Sequence, residues 1–366
     1  MNAHIINIPK EDYFLNTCVN QGFLDVGIVL PKSNTSQGKT RSCGTSYSMF
    51  ADMKTIRSED MIFVHAGAKI YGVFKAESEF VEDANISPHY LSNNIYYKNP
   101  AIPNSGWQNI TNFPPSQNNF RKIAISPFID NNGNNIAYKK GINSTDVFDL
   151  KYKGKIFSVS ERWKYPDAAR TIRPLMEFEA NEILKLIEIE NANNANRFNF
   201  VALNTSNSQN YQQINLILNN NIVENEKIIE GWICSQIGRN QSVDSIFNEF
   251  TSFGNNVPIG YLNFIDIAGY KILPSGTKIF RIIEVKKGDC VFPEDIIQLI
   301  KYINKVTEIF SESNSKLVEG FLLAKGFDQK CIDFTNTFNK SGRRISLVKF
   351  DYDPPNYQRL NLTRII

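Results

Sequence analysis

The sequence predicts an α/β chain, α+β overall, made of two separately cored parts, and three observations predict it. The first is a strand hairpin early in the chain: Met61-Ile62-Phe63-Val64-His65, a turn at Ala66-Gly67-Ala68-Lys69, then Ile70 to Ala76. The second is an alternation of amphipathic helices with apolar strands between residues 223 and 352. The third is an Asn-, Ser- and Gln-rich stretch from 191 to 222, which reads as a linker between them. A length of 366 residues suits two or three domains. The expected boundaries are a domain at 1–190, the linker at 191–222 and a second domain at 223–366.

In the first part, Phe23 to Leu30 has strand character and a polar stretch runs from Ser33 to Ser46. After the hairpin, frequent Asn and Pro between 84 and 120 predict long loops. Phe120 to Phe128 and Lys151 to Ser160 read as further strands, and Glu177 to Glu190 as a helix closing the domain. In the second part, Glu224 to Ile237 is amphipathic, with Ile228, Ile229, Trp232, Ile233 and Ile237 on its buried side. Two apolar strands follow, with a turn at Pro274-Ser275-Gly276. Glu294 to Phe310 is a helix whose Ile296, Leu299, Ile300, Ile303 and Val306 recur at three-four spacing. Leu317 to Ala324 is a nearly continuous apolar run, the mark of a buried parallel strand. Residues 327–338 predict another helix, and Ile345 to Phe350 a last strand.

Composition excludes several classes. The formal net charge is +3, so no global basic field demands nucleic acid, although local basic stripes remain. Five cysteines and three histidines offer no C-x-x-C and no readable zinc site. The sparse, odd cysteine set suits a reducing cytoplasm. No apolar run is long enough to span a bilayer, and the N-terminus has no basic-then-apolar leader, so a cytoplasmic protein without membrane contact is expected.

The chemistry lies in two strands. Asp266 sits in Phe264-Ile265-Asp266-Ile267-Ala268-Gly269, and Glu284-Val285-Lys286 lies eighteen positions on in Phe280-Arg281-Ile282-Ile283-Glu284-Val285-Lys286. Strand residues two apart share a face, so Glu284 and Lys286 project together while Val285 packs behind. Pairing of the strands as a hairpin adds Asp266, giving two carboxylates and an ammonium around one point. Such a site suits a hard divalent ion carrying a phosphate and a water. The lysine then orients or deprotonates the water, or offsets charge on the phosphate. For an isolated acid-x-lysine, a surface ion pair is the plainer reading; the helix and strand order around this one points to a site.

That order, with those residues, resembles the PD-(D/E)xK nuclease superfamily, in particular the RecB-like nuclease domain of NucS/EndoMS-type DNA endonucleases, over residues 223–352. The matching parts are Glu230 in Ile228-Ile229-Glu230-Gly231-Trp232, Asp266, the triplet, Gln298 in Ile297-Gln298-Leu299, and the strand Gly320 to Ala324. The resemblance implies Asp266 and Glu284 as ligands of Mg²⁺ (or Mn²⁺), Lys286 as the catalytic lysine, and Glu230 and Gln298 as residues completing the site. Glu226 shares a helix face with Glu230, and Gln298 also fits a solvated helix position.

The hairpin Asp60 to Gly67 and Ile70 to Phe74, with Asn119 to Ile125 carrying Arg121, is similar to PUA-like domains of the EVE/YTH kind. That resemblance implies a small β-barrel that binds nucleic acid, in some members around a flipped modified base. Trp107, Trp163, Tyr47, Tyr71 and Tyr165 are available to line a pocket or to be ordinary core. Between Lys151 and Arg173, seven Lys and Arg stand against two acids. Lys151, Lys153 and Lys155 are expected on one strand face, with Arg162 and Trp163 beyond, as contacts for phosphates and bases. The alternative is a solvated face beside a structural tryptophan.

These readings describe a metal-dependent DNA endonuclease, a restriction enzyme either sequence-specific or modification-dependent, acting on double-stranded DNA. A homodimer on DNA and a cognate DNA methyltransferase encoded nearby are the expected partners. A nuclease for mismatched or branched DNA and a non-catalytic nucleic-acid binder are the alternatives.

Overall fold

A computed structural model describes residues 1–8, 11–26, 51–83, 96–97, 108–109, 120–159, 171–203, 211–213, 226–259, 263–311, 313–352 and 360–366. The expected α+β class is borne out: two mixed sheets carry the chain, with helices packed against them. The first sheet holds β1 (Ala3–Ile8), β2 (Phe23–Val26), β3 (Met61–Ala66), β4 (Lys69–Ala76) and β5 (Val81–Asp83). A separate ribbon pairs β6 (Tyr96–Tyr97) with β7 (Gln108–Asn109). The first sheet then continues with β8 (Phe120–Pro127), β9 (Tyr138–Asn143), β10 (Ile172–Leu175) and β11 (Tyr211–Gln213). Its path is β10-β1-β3-β4-β8-β5-β11, with β2 on β8 and β9 on β4.

Alternation along these strands buries both faces. Ile6, Ile62, Val64 and Phe74 join one core with Phe14 and Phe198; Ile5, Phe63 and Val73 face a second core. The helices on that second side are α1 (Ser144–Tyr152) and α2 (Glu177–Glu190), which contribute Val147, Leu150, Ile183 and Ile187. The β3–β4 hairpin lies where the sequence predicts it, its turn containing Gly67 at φ 62°.

Two expectations are corrected here. Residues 151–159 are not a strand. A helix runs from Ser144 to Tyr152, with Asp146 in the first turn and Lys151 in the last, and Val147 and Leu150 buried one turn apart. Gly154, at φ 68°, then turns the chain. Lys151, Lys153 and Lys155 therefore share no strand face. Secondly, the start of the Asn-rich stretch is packed: Phe198 is 3 % exposed within the first core, and Leu203 N–H donates to Gly22 C=O. The rings of Phe198 and Phe200 pack at a tilt against Phe74, and this aromatic burial outweighs the polar composition around them.

The second sheet runs β12 (Ser252–Pro258), β13 (Phe264–Ile272), β14 (Lys278–Val285), β15 (Val318–Ala324), β16 (Arg344–Tyr352) and β17 (Leu360–Arg364), paired in that order. The pairs β14–β15 and β15–β16 are parallel, and the others antiparallel. Every residue of β15 is buried, as in the interior of a parallel sheet. Helices α3 (Glu226–Gln236) and α4 (Gln241–Phe247) cover one face. Helices α5 (Glu294–Phe310) and α6 (Gln329–Lys340) cover the other.

The predicted stripe of α5 is its buried side, with Ile296, Leu299, Ile303 and Val306 all under 5 % exposed. Its close approach requires Gly320: a Cβ there would stand 2.6 Å from Ile303 Cδ1. On β14, Arg281 bonds Glu319 at 2.9 Å and Arg344 bonds it at 3.0 Å. Burial alone would raise the Glu319 carboxyl, but the guanidinium of Arg281 holds it below its usual range, with help from Arg344. Arg344 is thus tied into the sheet through Glu319. Cys290 and Cys331 are buried with their Sγ atoms 3.2 Å apart, a proximity no spacing rule would find.

The two sheets are docked. Asn2 Oδ1 accepts from Phe253 N–H at 3.0 Å, and Asn255 Nδ2 donates to Asp52 Oδ1 at 2.8 Å. Arg57 reaches the Cys234 and Ile237 carbonyls at the end of α3. Among the described residues, no helix is long and apolar enough to cross a membrane.

Candidate active site

Four elements meet at one end of the second sheet. In the register of β13 and β14, Ile267 lies opposite Ile283, which brings Asp266 beside Glu284. Val285 is fully buried in the core, and its backbone N–H donates to Asp266 Oδ2 at 2.9 Å. Lys286 follows the end of β14, and its N–H carries the parallel ladder one step further by donating to Leu323 C=O. The acid and the lysine of the triplet therefore sit on fixed backbone and on the same side.

Lys286 Nζ donates to Glu284 Oε1 at 2.9 Å and to Gln298 Oε1 at 3.1 Å, with Asp295 Oδ1 at 3.5 Å. Gln298, one turn into α5, in turn donates through Nε2 to the Tyr302 hydroxyl at 3.1 Å. From the other side of the sheet, α3 supplies Glu230, which is fully buried, and Lys227. Lys227 Nζ lies 2.8 Å from Glu230 Oε2 and 3.1 Å from Asp266 Oδ1.

The electrostatics follow from crowding acids into a dry place. Burial, followed by the charge of Asp266, pushes the Glu284 carboxyl up to about 8. The same two causes push Glu230 well above the usual carboxylate range. Burial pulls both lysines down, but the carboxylates around them outweigh it: Asp266 and Glu230 raise Lys227, and Glu284 and Asp295 raise Lys286. Both ammoniums are therefore held protonated.

A divalent oxygen-ligated ion fits the donor set. Glu284 Oε2 and Glu230 Oε1 are buried oxygens without a hydrogen-bond partner. Among the described residues no group of three or more His, Cys, Asp or Glu side chains is placed to hold a metal ion. Magnesium does not need one, since it is commonly held by one or two carboxylates and keeps waters and substrate phosphate as further ligands. A groove of about 550 Å³ runs along α5 from Gln298, lined also by Asn263, Lys301, Tyr302 and Lys305.

The five residues singled out in the sequence, Asp266, Glu284, Lys286, Glu230 and Gln298, thus stand together. Three neighbours were not read from it: Lys227, Asp295 and Tyr302. Lys227 precedes Glu230 by three positions, a same-face spacing that was available as a signal.

The basic segment lies elsewhere. Lys151 donates to the Phe157 and Val159 carbonyls, and Lys153 and Lys155 are exposed. Lys155 and Lys278 line a second groove of about 360 Å³, at the opposite end of β14 from the triplet. Eight strand positions separate those ends, roughly 26 Å. Arg121 lies on β8 opposite Val26 and Glu82; its side chain, like Arg162 and Trp163, is outside the described residues. Tyr71 is a core ring packed on Phe14 and bonded to Glu11; Tyr47, Trp107 and Tyr165 are also outside the described residues.

No family model matches the chain. No curated protein matches it either. Among solved structures, it aligns with human THYN1 in complex with 5-methylcytosine-containing DNA, at 12 % identity and a TM-score of 0.29. That alignment covers 51 % of this chain and 98 % of the other.

Proposed function

We propose that this chain is a metal-dependent DNA endonuclease of the restriction type, in which the second sheet cuts the phosphodiester and the first, as a PUA-like reader, selects the DNA. The observation that carries the reading is the junction of Asp266, Glu284 and Lys286 at the end of two paired strands, with a buried Glu284 oxygen left without a partner. Asp266 and Glu284 would hold Mg²⁺, which when bound supplies Lewis-acid polarisation of the scissile phosphate.

The chain's own residues do the rest. Lys286, protonated between Glu284 and Asp295, serves as a hydrogen-bond donor rather than a base: it aligns the attacking water and offsets charge growing on the phosphate. Gln298 fixes the ammonium, and Tyr302 fixes Gln298. Burial of Val285 and the strands behind it excludes water from one side of the site. Lys301 and Lys305 supply positive charge for a backbone lying in the α5 groove. Cutting both strands takes two such sites, so a dimer on DNA belongs to the proposal.

The test is to incubate the protein with Mg²⁺ and unmodified, methylated or glucosylated phage DNA. Discrete fragments with 5′-phosphate ends from unmodified DNA support sequence-specific restriction. Cleavage confined to one modified DNA supports a modified-base reader. No cleavage of any of them, nor of mismatched duplexes, contradicts the proposal.

A further inference from the structure

Asp266 is shared by two acid pairs. Its carboxylate faces Glu284 on the neighbouring strand and lies within reach of Glu230 through a common ammonium. A carboxylate standing between two others is the donor arrangement that lets hydrolases hold two divalent ions, about 3.5–4 Å apart. Here the two gaps differ. Between Asp266 and Glu230 stands Lys227 Nζ, 3.1 Å from Oδ1 of one and 2.8 Å from Oε2 of the other. It comes from the first turn of α3, on the same helix as Glu230, so its position is set by the helix and not by a mobile loop. On the Glu284 side, Lys286 takes Oε1 and turns away to Gln298 and Asp295, leaving Oε2 without a hydrogen-bond partner.

We propose that Lys227 is the resident cation of the Asp266–Glu230 pair, that it stands in place of a second divalent ion, and that the site takes one metal per chain. The inference rests on the metal-dependent reading above and adds the stoichiometry to it. An ammonium at hydrogen-bond distance from both carboxyl groups fills that gap and repels any divalent ion entering it. The Asp266–Glu284 pair keeps an oxygen, Glu284 Oε2, that makes no hydrogen bond, and it is where the single ion belongs. Lys227 is then a positioning residue: it fixes Asp266 Oδ1 while the Val285 N–H fixes Oδ2.

The experiment is calorimetric titration of the full chain with Mn²⁺, without DNA, on wild type and on Lys227→Met, with Lys227→Arg as the charge-retaining control. Circular dichroism and a melting curve establish that each variant is folded, and Lys227→Gln replaces the methionine variant if that one is not. The expected result is one ion per chain for wild type and for Lys227→Arg, and two for the uncharged variant. Two ions in wild type, seen also as an exchange-coupled Mn²⁺ pair by electron paramagnetic resonance, overturn the inference without recourse to any variant. One ion in the folded uncharged variant overturns it while leaving the nuclease reading intact. No ion in wild type overturns both.

Discussion

The backbone N–H of Val285 donates to Asp266 Oδ2 at 2.9 Å, so the residue between the acid and the lysine of the triplet holds the aspartate of the adjacent strand. Its side chain meanwhile anchors the strand in the core. One residue thereby couples folding of the sheet to assembly of the site. Asp266→Asn should abolish Mg²⁺-dependent cleavage while the melting temperature stays within a few degrees, since an amide oxygen can still accept from Val285. Paired cleavage and melting assays check both halves of that expectation.

Gln298 acts through Lys286. Its Oε1 accepts from the ammonium at 3.1 Å, and removing it leaves Lys286 free to move toward Glu284 and Asp295. Gln298→Ala should lower kcat roughly 10- to 100-fold with KM unchanged, the signature of a misplaced catalytic group. A rise in KM alone would assign Gln298 to binding instead.

Gly320→Ala should destabilise the fold by about 1–3 kcal/mol through overpacking against Ile303. For a protein of this size that is a fall of several degrees in melting temperature. An unchanged melting temperature would mean that α5 can withdraw from β15 at no cost.

The three lysines near α1 separate into two kinds. Lys151→Ala should lower stability, because its ammonium satisfies the Phe157 and Val159 carbonyls. Lys153→Ala with Lys155→Ala should leave stability alone, since both are exposed. If the basic segment contacts phosphates, the double variant also reduces the salt slope of DNA binding by about 2. An unchanged slope removes these residues from the interface.

His65 supplies a pH dependence. Burial, and then the charge of Arg173, lowers its imidazole to about 4 in the folded chain, against 6.5 ordinarily. The folded state thus binds fewer protons there than the unfolded state. This contribution to stability is fully present above about pH 6.5 and is lost as pH falls toward 4. His65→Gln should flatten the melting temperature across that window. An equal slope in both proteins would assign the loss to other groups.

Much of this was legible in the residues, for identifiable reasons. The bounds of α5 follow from its three-four stripe because the helix buries one face and exposes the other. Asp266 and the triplet were legible because period-two alternation sets which side chains face together. Lys151 to Ser160 misled because alternating lysines imitate a strand, whereas the helix is set by Val147 and Leu150 upstream of them. Phe198 was hidden among asparagines, and its burial depends on a surface presented by β4 and the helical segment containing Phe14. Lys227 reads locally as a solvated helix lysine; only the approach of Asp266 from another strand makes it part of the site.

On the proposed function, Glu284 and Lys286 do the chemistry at the end of β14. The most direct measurement is cleavage of the DNA panel with Mg²⁺ by wild type, Glu284→Ala and Lys286→Ala, alongside DNA binding by all three. Wild type should cleave, Glu284→Ala should not, Lys286→Ala should lose on the order of 10²–10³-fold or more, and binding should stay nearly unchanged throughout. Cleavage by either variant at the wild-type rate would contradict the proposed function.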